Sequence, residues 1–279
     1  MPIPDESMEK MLNGKTALVT GSTGGIGEAF ARAFAAQGCN VMMNGMGEAA
    51  AIEKLRATIA KEHGVKVAYH GADVGVPSEI EAMVREAQRQ FGGVDILVNN
   101  AVVRHYDRIE DFPVEKWDRA MAVDLSAAFH TIRLTLAGMK KRGWGRIINM
   151  SSIHGRMAVP NRVDYVTAKH ALIGMTRCVA LEIAETGVTI NALMPGWVLT
   201  PHAEGQIARQ MAANSVSREK AIEALMKVRQ PSQRPIMPED VAAFGVFLCS
   251  DTGAHINGAA LPIDGAWQTG FMLTVGNST

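Results

Sequence analysis

Short β-type runs alternate with helical stretches along nearly the whole of this 279-residue sequence, and that alternation restricts the fold more than any other feature. Thr16–Val19 is a β-type run, followed by a glycine turn and a helix over Glu28–Gln37. Val41–Met43, Val65–Tyr69, Asp95–Val98, Arg146–Asn149, Val188–Ala192 and Ala260–Pro262 read as the remaining strands. Helices are expected over Ala49–Lys61, Pro77–Phe91, Pro113–Met139 in two pieces, Tyr165–Glu185 and Pro238–Cys249, with a polar helical insertion over Pro201–Val228. Parallel strands joined by helices need right-handed crossovers, so the pattern implies an α/β fold: an open, doubly wound parallel sheet with helices on both faces. No repeat, low-complexity tract or linker interrupts it. A single domain over 1–279 is expected, with an N-terminal extension at 1–13 and a C-terminal tail at 271–279.

Charge and cysteine content exclude several classes of work. Lys and Arg number 28 against 28 Asp and Glu, with no block of like charge. Nucleic acid binding draws most of its affinity from clustered Lys and Arg, so none is expected. Cys39, Cys178 and Cys249 are odd in number and far apart, which fits buried thiols in a reducing compartment and no metal site. The first dozen residues carry several acids and no apolar run, and no stretch approaches the roughly 18 to 20 apolar residues of a membrane span. The expectation is a cytoplasmic protein acting on a small molecule.

Directly after the first strand stands Thr20-Gly21-Ser22-Thr23-Gly24-Gly25-Ile26-Gly27, and then a helix. Glycines in such a turn let backbone N–H groups approach a pyrophosphate at a helix N-terminus, where the dipole favours anions. Further on, Tyr165-Val166-Thr167-Ala168-Lys169 puts a phenol and an amine at i and i+4 on one helix face. Ser152 lies thirteen positions before Tyr165, just past the fifth strand and at the carboxyl edge of the sheet, where doubly wound folds bind ligands. An ammonium beside a phenol favours the phenolate. Ser152 can then hold a substrate oxygen while Tyr165 exchanges its proton, an arrangement suited to hydride transfer at a carbonyl carbon.

The turn Thr20–Gly27, Asn99-Asn100-Ala101 after the fourth strand, and Ser152, Tyr165 and Lys169 together resemble the short-chain dehydrogenase/reductase family over nearly the whole chain. Asn44-Gly45-Met46-Gly47, Gly143–Asn149, His154-Gly155, Pro195–Pro201, Phe247–Asp251 and Leu261–Gly265 are similar to one branch, the D-3-hydroxybutyrate dehydrogenases. The resemblance implies a Rossmann-type fold, NAD as cofactor, a small 3-hydroxy acid as substrate and a homotetramer. It also implies that Gly21, Thr23, Gly25, Ile26, Gly27, Met46, Asp73, Val74, Asn100, Pro195 and Val198 contact the cofactor, together with Tyr165 and Lys169. His154, Trp197, Gln206 and Trp267 would line the substrate pocket, with about 201–228 closing over it as a lid.

Four positions depart from the branch pattern. Val102 replaces a glycine beside the cofactor, and Asp124 stands where the family's fourth catalytic residue is an asparagine. Arg104 replaces a glutamine and Arg162 a lysine among residues that hold the substrate carboxylate, so Arg104, His154 and Arg162 are expected to form an anion clamp. Arg104 also fits a solvated loop charge, and His154 a hydrogen-bonded structural histidine. These departures leave open a reductase for a different oxo acid or carbonyl compound, and a cofactor-binding sensor or scaffold with weakened catalysis.

Overall fold

The computed structural model describes residues 10–269. The strands are β1 (Thr16–Val19), β2 (Asn40–Asn44), β3 (Val67–His70), β4 (Ile96–Asn99), β5 (Gly145–Met150), β6 (Val188–Pro195) and β7 (Ala260–Ile263). They form one sheet in the order β3-β2-β1-β4-β5-β6-β7, every neighbouring pair parallel. The chain winds outward from β1 in one direction to β3, then returns to β4 and winds the other way. A crevice therefore opens where β1 and β4 diverge, at their carboxyl ends.

Between the strands run α1 (Gly25–Ala36), α2 (Ala49–His63), α3 (Pro77–Phe91), α4 (Val114–Met121), α5 (Ala127–Arg142), α6 (Val163–Glu182), α7 (Pro201–Asn214), α8 (Arg218–Arg229) and α9 (Pro238–Cys249). Alternation along each strand sends successive side chains to opposite layers. Leu18, Leu97 and Ile147 pack with Ile80 and Met83 of α3 and Ile132 of α5. Val19, Val98 and Ile148 pack on the other face with Phe30 and Phe34 of α1 and Val241 of α9. The two apolar layers fasten the crevice edges to a rigid sheet.

Most expected elements are present with shifted ends. The first helix begins at Gly25 inside the glycine turn, and the long helix begins at Val163, two residues before Tyr165. The Pro113–Met139 stretch is interrupted by a π-helical turn, Ala122–Ser126, and its second piece runs on to Arg142. The polar insertion is two helices, α7 and α8, around a small apolar cluster of their own that includes Ile207, Leu225 and Trp197. Part of the expected extension is already packed: Leu12 is buried and its N–H donates to the Gln37 carbonyl at 3.1 Å. Residues 1–9 and the tail at 271–279 lie outside the described residues. Among those described, no helix is long and apolar enough to cross a membrane.

Candidate functional site

At the end of β1 the chain turns through Gly21 (φ +63°) and Gly25 (φ +56°), left-handed conformations that favour glycine. Gly27 serves closeness instead: a Cβ there would stand 2.1 Å from the Gly21 carbonyl oxygen. The turn is stapled to β4 by Asn100, whose N–H donates to Thr20 Oγ1 at 2.9 Å and whose Nδ2 donates to the Thr20 and Gly21 carbonyls, both at 3.0 Å. α1 begins at Gly25, and at its N-cap, Gly24, no side chain caps its first N–H groups. Orphan donors at a helix N-terminus, beside glycines that leave room, fit an anionic pyrophosphate.

Next to this cradle, β2 ends at Asn44. Its Nδ2 donates to the carbonyls of His70 (3.0 Å) and Ala72 (2.9 Å), and its Oδ1 accepts from the Gly21 N–H at 3.4 Å. The amide therefore holds backbone, and the surface beyond it is Gly45 and the exposed Met46, whose carbonyl accepts from Thr23 Oγ1 at 2.8 Å. Asp73 and Val74 follow β3 as expected. The Asp73 carboxylate, however, is gripped by both Arg119 guanidinium nitrogens at 2.8 and 2.9 Å, which holds its carboxyl below the usual range. Arg119 stands 46 residues away and carried no local signal.

Ser152 lies just past β5, and Tyr165 and Lys169 project from the first turns of α6. All three are buried and line one cleft. Ser152 Oγ accepts from the His154 N–H at 3.2 Å, so its own hydrogen is free to donate. Lys169 Nζ donates to the Met150 carbonyl at 2.8 Å and sits 5.3 Å from the centre of the Tyr165 ring. Ser151 Oγ ties the Lys169 carbonyl down at 2.8 Å. Strand end and helix start are thereby locked in one register.

The cleft encloses about 330 Å³. Ile26, Asn100, Pro195 and Val198 line it near the glycine turn, as does Val102. Arg104, His154, Arg162, Trp197, Gln206 and Trp267 converge on its other end, so the structure brings together every residue expected there. Three arrangements were not legible beforehand. The Arg162 guanidinium is stacked between Tyr106 and Tyr165, 4.8 and 3.9 Å from their ring centres, with Nε and Nη2 lacking an acceptor. Arg229, at the end of α8, also lines the cleft and donates to Gln206 Oε1 at 2.6 Å, an oxygen that Trp197 Nε1 shares at 3.0 Å. His154 is the one correction to the clamp: burial, reinforced by the Arg162 charge, pushes its pKa down to about 4. It is neutral near pH 7 and offers hydrogen bonding, not charge.

Asp124 occupies the π-helical turn. Its Oδ1 accepts from the Val103 N–H at 2.8 Å, while Oδ2 is buried without a partner. Burial raises its pKa to about 6, against the opposing pull of Lys169. The carboxylate that stands in place of an asparagine is thus one that titrates near neutrality. Because the folded value lies above the ordinary 3.8, the folded chain holds this proton more tightly, and the associated stability is lost as pH rises from about 4 through 6. Asp124→Asn removes the titration while keeping the acceptor. Its stability relative to the parent should improve by roughly 2 kcal/mol between pH 4.5 and pH 8, with activity within about tenfold. Denaturant unfolding across that range checks it, and a pH-independent difference contradicts it.

Among the described residues, no group of three or more His, Cys, Asp or Glu side chains is placed to hold a metal ion. Cys39 and Cys249 are buried, with thiols pushed up by desolvation, to about 12 for Cys39. Cys178 is exposed, contrary to the expectation of buried thiols throughout.

A family model described as enoyl-(acyl carrier protein) reductase matches residues 21–267. The chain is 50% identical to D-beta-hydroxybutyrate dehydrogenase of Cupriavidus necator, over 92% of this chain and 99% of that protein. It is 47% identical to the Rhizobium meliloti protein of the same name, over 91% and 98%. Among solved structures, L-sorbose reductase from Gluconobacter frateurii, complexed with NADPH and L-sorbose, superimposes with a TM-score of 0.89 at 29% identity, covering 95% of this chain and all of that one.

Proposed function

The chain belongs to the short-chain dehydrogenase/reductase family of oxidoreductases, and we propose that it interconverts a small 3-hydroxy acid, 3-hydroxybutyrate or a near relative, and its 3-oxo acid with NAD. The observation that carries this reading is the single cleft in which Ser152, Tyr165 and Lys169 face three arginines, beside a glycine cradle for a dinucleotide. The two D-beta-hydroxybutyrate dehydrogenases support the substrate class.

When bound, the nicotinamide would supply the hydride acceptor for oxidation of the carbinol carbon and the hydride donor for reduction. Gly21, Thr23, Gly25, Ile26, Met46, Asp73, Val74, Asn100, Pro195 and Val198 would hold the dinucleotide, with Gly27 keeping the turn closed. In oxidation Ser152 donates to the substrate oxygen and positions it, and Tyr165 Oη takes the hydroxyl proton. In reduction Tyr165 gives that proton back. Lys169, anchored on the Met150 carbonyl, holds its nitrogen 5.3 Å from the centre of the Tyr165 ring, placed to steady charge that develops on the phenol oxygen during proton transfer. Arg162 and the neutral His154 orient the carboxylate, which fixes the carbinol carbon before the chemical step. α7 and α8 act as a lid: Gln206 of α7 and Arg229 of α8 line the cleft, with Trp197 packed against them from the segment after β6, and closure would exclude water. The same reading makes the protein a cytoplasmic homotetramer, on family resemblance.

NAD is favoured over NADP on charge. A 2′-phosphate needs a nearby Arg or Lys, whereas Asn44-Gly45-Met46-Gly47 and Thr23-Gly24 offer none. Asn44 is moreover committed to backbone. The expected result is kcat/KM at least about tenfold higher with NAD, the ratio set by roughly 1.4 kcal/mol. Reduction of both cofactors followed with 3-hydroxybutyrate tests the function and the preference together. Absence of turnover with either cofactor, on 3-hydroxybutyrate and on near relatives such as 3-hydroxyglutarate, would defeat the functional reading, and equal rates would defeat the cofactor assignment alone.

A further inference from the structure

Among the described residues, four cations line the cleft, Arg104, Arg162, Lys169 and Arg229, and no Asp or Glu side chain does. Lys169 is engaged by Met150 and Tyr165. The three guanidinium groups form no ion pair with a carboxylate among the described residues. One planar guanidinium satisfies one carboxylate bidentately, so a 3-hydroxy monocarboxylate needs one of the three. Arg104 is exposed, but Arg162 and Arg229 are both partly buried, and charges drawn out of water and left unpaired are costly, so a pocket that holds a second such guanidinium has a use for it.

The placement separates the three. Arg162 lies against the reacting phenol, and with His154, 6.2 Å from the same ring, it serves the carboxylate nearest the chemistry. Arg229 reaches the cleft from the end of α8, a wall built by a different segment, held by Gln206, which is itself held by Trp197. Arg104 follows β4 at the exposed mouth. Tyr106 and His202 link these walls: the Tyr106 hydroxyl is 3.4 Å from His202 Nε2, and its ring lies under Arg162. Burial lowers the His202 pKa first, and the charges of Arg104 and Arg162 lower it further, as expected of a side chain facing a cationic surface.

We propose that Arg104 and Arg229 form a second anion subsite, so that the pocket takes 3-hydroxy acids bearing a second carboxylate as well as monocarboxylates. This rests on the 3-hydroxy acid reading above. The reaction is unchanged: the same carbinol C–H gives hydride to NAD, the hydroxyl proton goes to Tyr165, and the distal carboxylate takes no part in bond changes.

Calorimetric titration of the NAD-loaded protein with glutarate and with butyrate tests the subsite without turnover. Glutarate should bind at least tenfold more tightly. Arg229→Gln should reduce that ratio below about threefold, and Arg229→Lys should retain most of it. Arg104→Gln, at an exposed loop position, carries the same test should the Arg229 variants fold poorly. Butyrate binding as tightly as glutarate to the parent protein, or a ratio unchanged in folded Arg229→Gln and Arg104→Gln, overturns the proposal. In turnover, kcat/KM for 3-hydroxyglutarate should at least equal that for 3-hydroxybutyrate. Oxidation of 3-hydroxybutyrate alone overturns the second subsite and leaves the general function standing, whereas oxidation of neither overturns both.

Discussion

Tyr165→Phe is expected to lower kcat by about 10²-fold or more, with cofactor affinity close to that of the parent. The substitution deletes one oxygen from a buried ring and leaves its packing under Arg162 and beside Lys169 in place, so a loss of this size reports chemistry and not unfolding. A single positioned acid/base contributes on the order of 10²–10⁴-fold, which sets the scale. Ser152 still donates to the substrate oxygen in the variant, so binding of the hydroxy acid should weaken far less than turnover. Steady-state rates and NADH titration measure the two quantities separately. Near-parental kcat would remove Tyr165 from the mechanism.

Arg162→Ala has the second-largest expected effect. A charge-assisted hydrogen bond to the substrate carboxylate is worth ~1.5–3 kcal/mol, or roughly 10- to 150-fold in kcat/KM. The loss should fall on 3-hydroxybutyrate and spare an uncharged alcohol of similar size, because only the acid presents the anion. It should appear in kcat as well as KM, since a remote contact that orients the carbinol carbon acts in the transition state too. Arg162→Lys keeps the charge but loses the planar stack on Tyr106 and Tyr165, and it should recover part of the activity. Equal losses on acid and alcohol would mean that Arg162 acts through the Tyr165 ring and not on the substrate.

Different parts of the site were legible to different degrees. The glycine turn could be read because its demands are local: Gly21 and Gly25 adopt positive φ, and Gly27 leaves no room for a Cβ. Tyr165 and Lys169 share a helix face by spacing alone, and Ser152 follows a strand whose end points to the same edge. Arg229 has no local signal: it stands one residue past the polar insertion expected over Pro201–Val228, whose pattern is surface-like, and only the packing of α7 and α8 around Trp197 brings the end of α8 over the cleft. The split of the Pro113–Met139 stretch was anticipated, but the π-helical turn was not. That turn inserts Asp124 between β4 and α6, a consequence of packing rather than of propensity.

The parallel α/β architecture, the glycine turn proposed to hold the dinucleotide, and the positions of Ser152, Tyr165 and Lys169 follow from the residues alone, because hydrophobic period, glycine geometry and helical spacing act over a few residues. The tertiary structure alone decided the charge state and company of the site. His154 is neutral because distant walls bury it beside Arg162, and Asp124 titrates near 6 because one of its oxygens is shut away from water. Three arginines from separate segments of the chain share one cleft with no Asp or Glu among its described lining residues. Desolvation and Coulomb interaction depend on proximity in space, and for these residues proximity is set by how the sheet winds.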